Sequence, residues 1–138
     1  MLDKKEEKVR VLMVDDEEDI CEALSHILIR ENYEVRVAYN KKEALDKLHT
    51  FLPQVVLLDI RLGGDDGFEV LTEAKKMDRS IVVIMVTGLE DDRDILKAKE
   101  LGADEYIRKP LKGDYLKRVI SEKISLLSLK KDSFEEKE

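Results

Sequence analysis

A chain of 138 residues has room for one hydrophobic core but not for two independent ones, so a single domain is expected. Charged residues make up 41% of it, but 43% are hydrophobic and recur periodically, which excludes an extended disordered chain. A net charge of −7 with Lys and Arg dispersed among the acids leaves no nucleic-acid footprint, so no direct nucleic-acid binding by this segment is expected, and a longest apolar run of six residues excludes a bilayer-spanning helix.

In chain order, the start Met1-Leu2-Asp3-Lys4-Lys5-Glu6-Glu7-Lys8 is a charged tail with no apolar signal region, so a cytoplasmic location and no membrane contact are expected. Val9 to Val14 reads as a buried strand, followed from about Glu18 to Arg30 by a helix with Ile20, Leu24, Ile27 and Leu28 on one face. Cys21 lies in that apolar stripe and is the only cysteine, so it reads as a core filler with no disulfide or thiolate metal cluster. Tyr33 to Tyr39 is the second strand. Asn40 caps the next helix, with Glu43 in capping-box position and Ala44, Leu45, Leu48 and Phe51 facing inward until Pro53 ends the segment. Gln54 to Leu58 is the third strand. A Gly63-Gly64-Asp65-Asp66-Gly67 loop follows, then a helix bearing Phe68, Leu71, Ala74 and Met77. Asp65 and Asp66 read as turn and helix-start residues. Ile81 to Val86 is the fourth strand, and about Asp91 to Leu101 is a weakly amphipathic helix carrying Ile95, Leu96, Ala98 and Leu101. Gly102 closes it. Ala103 to Arg108 forms a short fifth strand, and Leu116, Val119, Ile120, Ile124 and Leu127 line a last helix. The domain is expected to span residues 9 to 129, with residues 130 to 138 as a charged tail or the start of a linker. His26 and His49 fall within helix patterns without zinc-site spacing and read as structural.

Five alternating strand and helix units predict an α/β fold in three layers, a doubly wound parallel sheet of five strands with helices on both faces. Parallel strands point one way, so the residues that end them gather along one sheet edge, where open α/β folds place ligands. Those residues are Asp15 and Asp16, Asp59, Thr87 and Lys109. Three carboxylates in one place repel one another unless a cation lies between them, and oxygen-only donors favour a hard ion such as Mg²⁺, with Mn²⁺ as a substitute. Lys109 suits a phosphoryl oxygen and Thr87 supplies a hydroxyl donor. An Asp carboxylate can itself attack phosphorus to give an aspartyl phosphate.

Asp15-Asp16 after the first strand, Leu57-Leu58-Asp59 at the third, Asp66-Gly67, Val86-Thr87-Gly88, and Gly102-Ala103-Asp104 leading to Tyr106-Ile107-Arg108-Lys109-Pro110 together resemble the receiver domain of two-component response regulators. The resemblance covers roughly Val9 to Leu127. It implies a flavodoxin-like strand order of 2-1-3-4-5, with Asp59 as the phosphoacceptor that attacks the phosphohistidine of a sensor histidine kinase or phosphotransfer protein. It further implies that Asp16 ligates magnesium directly, Asp15 through water, Asp59 through its carboxylate and Arg61 through its backbone carbonyl. Lys109 matches the phosphoryl-binding lysine, and the Lys109-Pro110 bond is implied to be cis. Thr87 and Tyr106 match a switch pair that reshapes the surface of the fourth helix, fifth strand and fifth helix, through which a partner, an output domain or a phosphorylation-dependent homodimer is controlled.

Gly63 and Asp65 depart from the proline and apolar residue that many relatives carry there, so a more flexible and more acidic loop is expected. Arg61 and Leu89 fall at the positions that flank the acyl phosphate in the family, and apolar Leu89 is expected to slow its hydrolysis. Two other readings stand beside this one. A magnesium-dependent aspartyl phosphohydrolase would share the acids and the lysine, but this chain has Arg61 at the position, two residues after the nucleophile, where such enzymes keep an acid-base Asp, and no cap domain is expected in it. A receiver acting without phosphorylation is expected to lose one of the key residues, and all are present. Whether the chain is a whole single-domain regulator or a receiver cut from a longer protein stays open.

Overall fold

The computed structural model describes residues 8 to 88, 92 to 110 and 112 to 136, the last helix beyond residue 125 as backbone only. Its central sheet has five parallel strands, β1 (Arg10–Val14), β2 (Glu34–Ala38), β3 (Val55–Asp59), β4 (Val82–Thr87) and β5 (Glu105–Arg108), in the order β2-β1-β3-β4-β5. The expected fold and strand order are both observed. Five helices connect and follow the strands: α1 (Glu18–Arg30), α2 (Lys41–Phe51), α3 (Phe68–Met77), α4 (Asp92–Glu100) and α5 (Gly113–Glu136).

Side chains alternate across a strand, and this divides the core in two. Leu12, Val56, Leu58, Val83 and Met85 face α2, α3 and α4, where Leu48, Leu71 and Ala98 are buried. Val11, Met13, Val55, Leu57, Ile84 and Val86 face α1 and α5, where Leu24, Leu28, Leu116 and Ile120 are buried. Strands β3 and β4 are buried along their whole length, which is why both read as uninterrupted apolar runs. Cys21 is fully buried in the second of these clusters, as expected.

Helix ends follow local chemistry. Asn40 Oδ1 accepts from the Glu43 N–H at 2.9 Å, and Glu43 Oε1 accepts from the Tyr39 N–H at 2.9 Å, so the capping box closes one residue earlier than the usual reciprocal pair. Asn32, with φ of 70°, ends α1 in a Schellman motif in which the Tyr33 N–H donates to the Leu28 carbonyl and the Asn32 N–H to that of Ile29. His49 Nε2 lies 2.8 Å from Glu73 Oε2 and ties α2 to α3, a structural role.

The last helix runs on to Glu136 through a Lys- and Glu-rich segment that contains no Gly or Pro. The glycine loop after β3 forms a short antiparallel hairpin, with Arg61 paired to Asp66 and Leu62 to Asp65. Gly63 takes φ of +64° at the first central turn position, the backbone that a type II′ hairpin turn requires and that a side chain would strain. The predicted helix face at Leu127 and the residue Leu89 lie outside the side chains described.

Candidate functional site

Strand register brings the site together. Val14 pairs with Leu58, Asp59 with Val86, and Thr87 with Arg108. Asp15 and Asp59 therefore leave their strands at one level, with Thr87 one residue and Lys109 two residues further along, all at the carboxyl edge. Lys109 is fixed there by its backbone N–H, which donates to the Thr87 carbonyl at 2.7 Å, and the Lys109-Pro110 bond that follows is cis.

The Lys109 ammonium is the hub. Its Nζ lies 2.8 Å from Asp59 Oδ2, 3.0 Å from Asp15 Oδ2 and 3.1 Å from Glu17 Oε1, which uses all three of its donors. The remaining oxygen of each buried acid is held by backbone. Asp59 Oδ1 accepts from the Arg61 N–H at 3.1 Å, and Asp15 Oδ1 accepts from the Glu17 N–H at 3.0 Å. Both carboxylates are thus oriented before any ligand arrives. Burial pushes the Asp59 carboxyl above its ordinary value, against the opposing pull of the Lys109 ammonium and the Arg61 N–H. Burial also works against the charged form of Lys109, but the hydrogen bonds to Asp59, Asp15 and Glu17 prevail and hold it above its ordinary value as an ammonium. The Cys21 thiol is pushed up to about 12 by burial and then by the Asp15 charge, which keeps it protonated and inert.

Asp15, Asp16, Glu17 and Asp59 each present a carboxylate oxygen, and these oxygens lie within 4.8 Å of one another. Four acids face one ammonium, an excess of negative charge that a divalent cation relieves. A donor set made of oxygen alone, part buried and part exposed, fits a hard, partly hydrated ion. The sequence reading placed Asp15, Asp16 and Asp59 here but missed Glu17. The available signal was the unbroken acidic run Asp15-Asp16-Glu17-Glu18-Asp19, of which only Asp15 and Asp16 were assigned to the edge.

Thr87 is fully buried, and its Oγ1 has no hydrogen-bond partner among the described residues. It follows Met85 by two residues, so it emerges on the α2, α3 and α4 side of the sheet, where Tyr106 is half-buried against the same cluster. The two residues of the expected switch therefore share one face. Arg61 Nη2 reaches Asp94 Oδ2 on α4 at 3.5 Å, so the hairpin after β3 and the start of α4 are joined by an ion pair beside the site. Asp66 Oδ1 accepts from the Phe68 N–H at 3.0 Å and serves as the start of α3, as expected. Asp104 Oδ2 accepts from the Val83 N–H at 2.8 Å and from Lys75 Nζ at 2.7 Å, which locks the entry to β5 onto β4.

Gly67 supports Asp59 from below. Its N–H donates to the Ile60 carbonyl at 2.7 Å, and a Cβ added to it would lie 2.4 Å from the Asp59 carbonyl oxygen, a backbone atom that cannot swing aside. Gly67→Ala is therefore expected to cost about 3 kcal/mol, the upper part of the overpacking range. Urea denaturation checks this, and an unchanged midpoint would contradict the close approach.

Comparison with known proteins agrees with this architecture. The response regulator receiver domain family model matches residues 11–121. A response regulator receiver domain protein (CheY-like) from Methanospirillum hungatei is 33% identical and superposes with a TM-score of 0.87 over 90% of this chain and 99% of that one. NtrX from Brucella abortus is 33% identical with a TM-score of 0.85, covering 94% of this chain but 29% of that longer one. A response regulator from Burkholderia pseudomallei, solved with a phosphorylated aspartic acid, a calcium ion and citrate, is 28% identical with a TM-score of 0.75 over 79% of this chain and 64% of that one. The chain belongs to the response regulator receiver domain family, the phosphoacceptor signalling domains of two-component systems. Members of that family interact with histidine kinases or phosphotransfer proteins and typically bind a divalent metal in an acidic pocket.

Proposed function

We propose that this chain accepts a phosphoryl group on Asp59 from a sensor histidine kinase or phosphotransfer protein, in a Mg²⁺-dependent reaction that Mn²⁺ also supports. The observation that carries this reading is the Asp59 carboxylate itself, buried at the sheet edge and held between the Arg61 N–H and the Lys109 ammonium beside three further acids. One Asp59 oxygen stays on the Arg61 N–H while the other attacks phosphorus. The bond from phosphorus to the donor imidazole breaks, the imidazole leaves with the bonding pair, and Asp59 becomes a mixed anhydride. Lys109 transfers its donors from the carboxylates to the phosphoryl oxygens as charge moves onto them. Asp15, Asp16 and Asp59, with the Arg61 carbonyl, would hold the cation, which when bound supplies neutralising charge for the phosphoryl oxygens.

The readout begins at Thr87. A buried hydroxyl without a partner is a group whose hydrogen-bonding need the phosphoryl group meets, and satisfying it favours a second conformation in which Tyr106 turns inward. The surface of α4, β5 and α5 then changes and controls a partner, an output domain or a homodimer. A cytoplasmic location without membrane or nucleic-acid contact fits the acidic charge balance, and no helix among the described residues is long and apolar enough to cross a membrane. Incubation with acetyl phosphate and Mg²⁺ is expected to add the mass of one phosphoryl group to the intact chain, and EDTA is expected to prevent it. Labelling that is absent, or that survives chelation, would sink the reading.

A further inference from the structure

We propose that Glu17 is a positioning residue that sets the resting charge of this site: its carboxylate occupies the outermost donor of Lys109, strengthens divalent-cation binding and opposes the entry of anionic phosphoryl donors. This rests on the reading of Asp59 as phosphoacceptor.

Three observations carry it. First, Lys109 Nζ is bound by three carboxylates at nearly equal distances, 2.8, 3.0 and 3.1 Å, so a phosphoryl oxygen gains a lysine donor only when a carboxylate gives one up. Asp15 and Asp59 are each held a second time by backbone N–H groups, whereas the Glu17 carboxylate is on Lys109 alone among the hydrogen bonds described. Glu17 is the contact that yields most readily. Second, its side chain is 55% exposed where those of Asp15 and Asp59 are 8% and 6%, so Glu17 forms the solvent side of the site, the side from which a donor arrives. Third, Glu17 is the N-cap residue of α1 and makes no side-chain cap hydrogen bond. Glu is not among the residues that favour capping, so this side chain is not engaged at its own helix start and reaches across the sheet edge to Lys109, just past β5.

Glu17 thus acts in two opposed ways. It adds a fourth carboxylate within 4.8 Å of the others, which favours a divalent cation. It also places a negative charge against the incoming phosphoryl oxygens, which slows a donor in proportion to the donor's charge.

The test uses the intact chain and Glu17→Gln, with Glu17→Asp as the charge-retaining control. Thermal unfolding is first followed against Mg²⁺ without donor. Loss of one charge at contact distance in a largely aqueous setting is expected to raise the Mg²⁺ concentration at half-effect about tenfold in Glu17→Gln, while Glu17→Asp stays near wild type. At saturating Mg²⁺, uptake by Glu17→Gln is then expected to be about fivefold faster with the dianion acetyl phosphate. The gain is smaller with phosphoramidate, which carries less negative charge near neutral pH, and shrinks with added salt. An unchanged Mg²⁺ half-effect, or no gain in rate with acetyl phosphate, overturns the proposal. Equal gains with both donors overturn it as well, since a purely steric or folding effect ignores donor charge. A wild-type chain that takes up no phosphoryl group from either donor overturns the reading of Asp59 instead, and the Mg²⁺ titration alone then decides the role of Glu17.

Discussion

Asp59→Asn is expected to take up no phosphoryl group from acetyl phosphate and Mg²⁺, and yet to unfold a few degrees later than the wild-type chain. The first half follows because an amide is no nucleophile toward phosphorus and no other acid replaces the geometry. Asp15 is bound to Lys109 too, but it leaves a different strand and its other oxygen is turned onto the Glu17 N–H. The second half follows from electrostatics. Burial raises the Asp59 carboxyl above its ordinary value of 3.8, with the Asp15 charge adding to the effect. The folded state therefore holds the Asp59 proton more tightly than the unfolded state does. Stability falls as pH rises from the ordinary carboxyl value through the folded one, and the deficit is complete above that window. The asparagine carries no such deficit, so its advantage is full at neutral pH and vanishes below the ordinary carboxyl value. Intact-mass spectrometry and thermal unfolding at pH 7 and pH 3 measure both halves. A variant less stable than wild type at pH 7 would show that the Lys109 pairing outweighs desolvation.

Lys109→Met acts in the opposite sense on stability and in the same sense on chemistry. Lys109 is the ammonium that the two buried carboxylates share, and taking one partner out of a buried ionic cluster typically costs about 3 kcal/mol. For a domain of this size that is roughly a 10 °C drop in the unfolding midpoint. Methionine fills most of the volume, so the loss is electrostatic rather than a cavity. Mg²⁺ is expected to restore more stability to the variant than to wild type, since it supplies the missing positive charge. Phosphoryl uptake at saturating Mg²⁺ is expected to fall about 10²- to 10³-fold, the usual loss when one preorganised donor to a developing anion is removed. A variant that keeps its rate would remove Lys109 from the chemistry, and one that keeps its midpoint in EDTA would remove it from the charge balance.

The parts of this molecule that were legible beforehand share a cause. Strands β3 and β4 are buried on both faces, so their apolar runs could be read without a partner in view, and each run ends at a polar residue that cannot continue the core. The convergence of Asp15, Asp59, Thr87 and Lys109 then follows from parallel strands alone. Glu17 was not legible, because its role lies in an ion pair to a lysine 92 residues away and no local pattern separates it from Glu18. The hairpin after β3 was legible only as a glycine-rich loop, because the strand pairs that flank its turn are two residues long and carry no alternating pattern; the positive φ of Gly63 makes the turn. The length of α5 was not legible, because apolar periodicity fades past Leu127 while Lys and Glu are good helix formers that carry the backbone on to Glu136.

The register of the sheet has one further consequence, for quality control during folding. Each parallel pairing requires a crossover, and the four residues that meet at the edge are drawn from β1, β3, β4 and β5, which span most of the chain. A slip of one rung in any pairing turns that strand's side chains to the opposite face and carries its edge residue out of reach. Partly assembled chains therefore have no site at all, rather than a weak one. On the proposed reading of Asp59, the fraction of molecules that take up a phosphoryl group would therefore count completed sheets.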